Sequence, residues 1–146
     1  MLAGCGGGGA SPVAPAFIVG ANAPPPAPLP PKLSATLQIS KFVVRSVPTT
    51  AGHATYFVTL QVSETSGLGG ADLSTITITD STGDSDVGCG GRVEPGTTWD
   101  MDVQSFGYCA PGVPTNREVP SVSVAIEFVT DDGTRGELTR SVETTR

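Results

Sequence analysis

With 146 residues, 19 of them glycine and 13 proline, the chain has room for one domain once its compositionally biased first segment is set aside. A formal net charge of −6 argues against a phosphate-bearing partner, because nucleic-acid binders concentrate Lys and Arg on one face and the 8 basic residues here are scattered. No run approaches the ~18 apolar residues that a membrane-spanning helix requires, and the wealth of Thr, Ser, Val and Gly suits strands and turns better than helices.

The chain opens on Leu2-Ala3-Gly4-Cys5, small residues running into a cysteine. This stretch resembles the lipobox of bacterial lipoproteins, in which a signal peptide is cut before the cysteine and the thiol then carries lipid. The resemblance covers residues 1–5 alone. It implies a basic and an apolar signal segment ahead of Met1, acylation of Cys5, and a place in the bacterial cell envelope outside the cytoplasm. Membrane attachment would then come from a lipid anchor, each buried CH₂ of the acyl chains adding about 0.8 kcal/mol.

Residues 6–33 follow as glycine, then alanine and proline, with Pro24-Pro25-Pro26 and Pro30-Pro31. Such a segment cannot bury enough apolar surface to offset its ordering entropy. It is expected to be a disordered tether, its prolines favouring polyproline II at ~3.1 Å per residue. One apolar patch, Phe17-Ile18-Val19, interrupts it and could add to the domain as an edge strand.

The domain proper occupies residues 34–146. A first strand is expected over 36–46, where Leu37 and Ile39 are apolar and the pattern then shifts to Phe42 and Val44, so that a bulge or bend falls near Ser40-Lys41. Pro48 and Gly52 mark a turn. From 54 to 64 the alternation is clean: Tyr56, Val58, Leu60 and Val62 share one face, and Phe57, Thr59, Gln61 and Ser63 the other. That is the pattern of a half-buried antiparallel strand at the centre of the core. Ser66-Gly67-Leu68-Gly69-Gly70 breaks it, and 73–80 resumes it with Ile76 and Ile78 inward. Residues 81–91 read as a loop ending in Gly88-Cys89-Gly90-Gly91. Glu94-Pro95-Gly96-Thr97 has proline and glycine where a type II turn requires them, and behind it Trp99, Met101 and Val103 alternate with Asp100, Asp102 and Gln104.

The C-terminal part is the most legible. Val122, Val124, Ile126 and Phe128 alternate with polar or small residues, and Asp131-Asp132-Gly133 follows. A two-residue loop would put Leu138 and Val142 on the face opposite Phe128 and Ile126. A three-residue loop with Gly133 in the left-handed region sets Ile126 against Leu138 and Val122 against Val142, so register selects the longer turn. Arg140 then falls opposite Val124 on the inward face, which requires its head group to escape at the domain edge. Together the elements predict an all-β chain: a single immunoglobulin-like or fibronectin-like antiparallel β-sandwich of about seven strands.

Setting Cys5 aside for lipid leaves Cys89 and Cys109. Outside the cytoplasm such a pair is expected to form a disulfide, stabilising the fold by roughly 3 kcal/mol in the chain-entropy model. Neither cysteine lies on the strands expected at the centre of the sheets, so the bridge would be peripheral. Reduced thiols are one alternative. A metal site is another, weakened by the absence of a Cys-x-x-Cys pair and by the distance in sequence to the only histidine, His53.

The richest oxygen cluster is Asp80, Asp84 and Asp86, in a flexible turn where carboxylates could converge on calcium. Asx turns at a hairpin end account for the same residues without metal. Asp100 and Asp102 are paired carboxylates of the kind glycoside hydrolysis uses, but two residues apart on a strand they are more simply its solvated side. His53 has no nucleophile motif near it, and the glycine runs precede no strand-helix unit that could cradle phosphate. Trp99 alternates in phase with the core. Phe106 and Tyr108, beside Cys109, are candidate partner-binding aromatics.

These features point to a lipid-anchored envelope protein, not an enzyme and needing no cofactor, whose sandwich is a binding or scaffold module for another envelope protein or a glycan. A hydrolase or metal-dependent enzyme built on the acidic loops is the alternative from another class. A soluble accessory domain of a larger secreted protein is a third.

Overall fold

The computed structural model describes residues 25–29, 31, 33–101 and 109–146. Cys5, the Phe17-Ile18-Val19 patch, Asp102, Val103, Phe106 and Tyr108 lie outside them. Among the described residues there are eight strands: β1 (Leu37–Thr50), β2 (His53–Glu64), β3 (Ala71–Asp80), β4 (Ser85–Gly88), β5 (Arg92–Val93), β6 (Thr98–Met101), β7 (Ser121–Thr130) and β8 (Arg135–Glu143). They form two antiparallel sheets, β1-β2-β6 and β4-β3-β7-β8, with β5 continuing the edge of β3 beyond β4. Packed face to face, they make an all-β sandwich. Among the described residues no helix is long and apolar enough to cross a membrane.

Alternation decides which side of each strand is inside. Phe42 and Val44 of β1, Leu60 and Val62 of β2, and Trp99 and Met101 of β6 form one inner face. Leu73, Ile76 and Ile78 of β3 and Val122, Val124 and Ile126 of β7 form the other, and all of these are buried. Fully burying an aliphatic side chain of this size contributes about 1.5–3 kcal/mol, so this seam supplies most of the favourable free energy.

Register follows the hydrophobic pattern. Ile126 faces Leu138, Val122 faces Val142 and Gly133 has φ 88°, the expected three-residue turn. Arg140 lies opposite Val124 with its head group exposed, and its Nη1 donates to the Ile39 carbonyl at 3.0 Å. That carbonyl sits at the expected bulge of β1, between Ile39 and Lys41. The Glu94–Thr97 turn closes with Thr97 N–H donating to Glu94 O at 3.1 Å, Gly96 having φ 67°.

Three features depart from the pattern. β1 runs through Pro48 to Thr50; proline is tolerated because that strand lies at the edge of its sheet, where a missing N–H breaks no ladder. Ser85–Gly88, expected as loop, pairs with Ile76–Thr79 as β4 although its polar residues show no alternation. A second bulge falls between Leu73 and Thr75 in β3. Beyond β8 the chain crosses to the other sheet: Ser46 N–H donates to Thr145 O at 2.7 Å and Thr145 N–H to Val44 O at 3.0 Å, in parallel with β1.

Candidate functional site

Asp80 is the last inward residue of β3 and is buried. Its Oδ1 accepts from Thr82 N at 2.8 Å, Thr82 Oγ1 at 2.6 Å and Asp84 N at 3.3 Å, while the buried Oδ2 has no partner among the described residues. The Thr82 hydroxyl above all, opposed by burial and aided by the turn N–H groups, holds this carboxyl below the usual range. Asp84 and Asp86 are exposed. Asp86 accepts from Gly112 N at 2.8 Å through Oδ2 and from Val87 N at 3.0 Å through Oδ1. Asp80 and Asp86 thus serve different backbone groups, the Asp84 carboxylate lies 3.5 Å from the Thr82 hydroxyl that also donates to Asp80, and among the described residues no group of three or more His, Cys, Asp or Glu is disposed to hold a metal ion.

Cys89 and Cys109 sit at disulfide distance, with their sulfurs in bonding range and Cα atoms 5.5 Å apart. The pair joins the segment after β4 to the chain at 109–112, reinforced by Cys89 N–H donating to Cys109 O at 3.0 Å. The glycine run around Cys89 reflects close packing. A Cβ on Gly88 would meet the Cys109 carbonyl and Pro111, one on Gly90 would meet Leu73, and one on Gly91 would meet the Trp99 indole. Trp99 is a core residue, as its phase implies. Asp100 is exposed on β6, and His53, also exposed, begins β2 in a bridge to Arg117.

Two groupings escape a residue-by-residue reading of the sequence. The first is Glu64, buried at the end of the apolar face of β2. Its Oε1 accepts from Thr36 N at 2.9 Å, Ser66 N at 2.8 Å and the Ser66 hydroxyl; its Oε2 accepts from Gly67 N and Gly96 N, both at 2.7 Å. Burial pushes its pKa up, but the Ser66 hydroxyl and the N–H groups of Thr36, Gly96 and Ser66 outweigh it and hold the group down at about 2. The carboxylate joins the start of β1, the loop after β2 and the turn before β6. Nearby, Arg92 bridges Asp72 at 3.3 Å, Glu94 at 2.9 Å and Asp131 at 3.0 Å, while Asp131 Oδ2 also accepts from Gly70 N at 2.9 Å. A glutamate in phase with Tyr56, Val58, Leu60 and Val62 is the signal in the sequence for the first of these.

The second grouping is the outer face of β1 and β2. Here Val43 pairs with Thr59 and Arg45 with Phe57, so these four side chains form one patch. They line a shallow cavity of about 390 Å³. Phe57 is 57% exposed and Val43 40%. Lys41 lies one step along the same face, and among the described residues neither Lys41 nor Arg45 belongs to an ion pair. The outer face of the other sheet differs: Glu127 and Glu137 stand directly opposite each other, among Thr75, Thr77, Ser123, Thr139 and Ser141. An aromatic residue on the polar side of a clean alternation is the sequence signal for this patch.

No family model and no curated protein sequence matches the chain. Among solved structures the chain is similar to a Bordetella pertussis protein carrying the provisional name ApaA, at 18% identity and a TM-score of 0.50, over 77% of this chain and 96% of that one. At that identity the likeness is one of fold.

Proposed function

We propose that the protein is a lipid-anchored component of the bacterial cell envelope whose β-sandwich acts as a non-catalytic binding or scaffold module. The observation that carries this reading is Leu2-Ala3-Gly4-Cys5 leading through a glycine- and proline-rich segment into the domain. A cysteine pair at disulfide distance supports an oxidising compartment. Three of the described carboxylates hold backbone turns, as suits a scaffold: Asp80 caps its own hairpin, Asp86 holds Gly112, and Glu64 gathers the N–H groups of three segments. The partner is another envelope protein or a glycan, reached through the sheet faces and loops. Intact-mass measurement of the protein extracted from membranes tests the proposal. Acyl chains on Cys5 together with the mass deficit of a formed Cys89–Cys109 bridge are expected. An unmodified Cys5 in a cytosolic fraction would remove the anchor and the address at once.

A further inference from the structure

The outer face of β1 and β2 has a composition that folding does not require. A solvated sheet face is stable with threonine, glutamine and lysine alone, yet this one presents the Phe57 ring and the Val43 methyls to solvent beside Arg45 and Thr59, around a concavity of about 390 Å³. That volume is in the range of small-ligand sites. The charge is equally out of place. On a chain of net charge −6, two of the 8 basic residues, Lys41 and Arg45, lie on the same face of β1 just beyond its first bulge, without a carboxylate bound to either among the described residues. Among the described residues the acid on this face is Asp100 of β6, which pairs with Gln61 and so lies two strands away from Lys41.

We propose that this cavity binds a carboxylated sugar unit of an anionic glycan, a ligand class that rests on the binding-module reading above and sharpens it. The ring of Phe57 offers a flat apolar platform to the C–H face of a pyranose, and Val43 extends it. Arg45, backbone-paired with Phe57, places a planar fork beside that platform, suited to two parallel hydrogen bonds to a carboxylate. Thr59 supplies a hydroxyl to the ring oxygens, and Lys41 supplies positive charge to the next unit along the polymer. A neutral sugar would leave the guanidinium unused. A flat lipid surface would not fill the concavity. The rest of the acidic protein repels a polyanion, so attachment has to be local and oriented.

Native gel electrophoresis of the full chain through polygalacturonate, with neutral dextran as the parallel gel, tests the assignment without any need for acylation. Retardation by polygalacturonate and not by dextran is expected. Phe57→Ser and Arg45→Gln should each weaken it about tenfold, the effect of roughly 1.4 kcal/mol of lost contact. Arg45→Lys, which keeps the charge and loses the fork, should fall between wild type and Arg45→Gln. Arg135→Gln, on the opposite sheet, should change nothing. All these positions are exposed, and thermal unfolding of each variant establishes that the fold is kept. Absence of retardation, equal retardation in dextran, indifference to Phe57→Ser, or equal retardation by polyglutamate would each overturn the sugar assignment. The mass test of Cys5 would stand unaffected by any of them.

Discussion

Glu64 and Asp80 occupy equivalent places in the two sheets. Each is the last residue of its strand, on the inward face and buried. Their hydrogen bonds, however, reach very different distances along the chain. Asp80 accepts from Thr82 and Asp84, its own turn, so its carboxylate closes the turn that follows it. Glu64 accepts from Thr36 and Gly96 as well as from Ser66 and Gly67, tying together segments that are remote in sequence. A buried carboxylate is thus a local cap in one sheet and a tertiary joint in the other. What separates them is the presence of foreign backbone N–H groups around the carboxylate, not its own burial.

The comparison is sharpest if each carboxylate is neutralised in place. Glu64→Gln puts an amide donor among backbone donors and should cost about 2–4 kcal/mol, read from urea unfolding. A loss no larger than that of the corresponding Asp80 variant would erase the distinction. Glu64 also shapes the acid response. Its carboxyl sits at about 2 in the fold against an ordinary 4.5, so its stabilisation is complete above pH 4.5 and is lost as the pH falls towards 2. The stability-against-pH slope in that window should flatten by up to one proton in Glu64→Gln.

Next in size is reduction of the Cys89–Cys109 pair, which opens a connection spanning 20 residues and should lower stability by about 3 kcal/mol or somewhat less. It asks whether the β4 edge depends on a long-range tie that Asp80 does not provide; an unchanged unfolding midpoint under reductant would say that it does not. Asp80→Asn keeps Oδ1 as the acceptor for Thr82 and puts the amide NH2 where the unpaired Oδ2 stood, at about 1 kcal/mol in the same assay. Smallest is Arg92→Ala. Its three ion pairs are partly solvent-exposed, so the loss should be smaller than that of Asp80→Asn and shrink further in high salt. A salt-independent loss would mean that Arg92 acts as a joint in the manner of Glu64.

The fold was legible wherever one face of a strand is buried and the other wet, because period two then fixes both the strand and its register. That is why β2, β7, β8, the turn at Gly133 and the bulge near Ser40 could be read from side chains alone. β4 could not, because it contributes backbone pairing and no inward apolar residue, and backbone pairing leaves no trace in Ser85-Asp86-Val87-Gly88. The same limit applies to sites. Asp80, Asp84 and Asp86 stand out as a cluster in the sequence, and in space Asp80 and Asp84 share the Thr82 hydroxyl while Asp86 turns to Gly112. Glu64 and Phe57 look like ordinary members of one strand, and their neighbours come from positions that only folding brings near.

The crossing of Thr145 onto β1 bears on how the domain keeps to itself. A strand of 14 residues at a sheet margin is an open template for the backbone of any extended neighbour. Here the template is already occupied at Val44 and Ser46, and Arg140 takes the Ile39 carbonyl as well. The middle of the domain's longest margin is therefore held by its own C-terminal residues and withheld from chain-to-chain pairing.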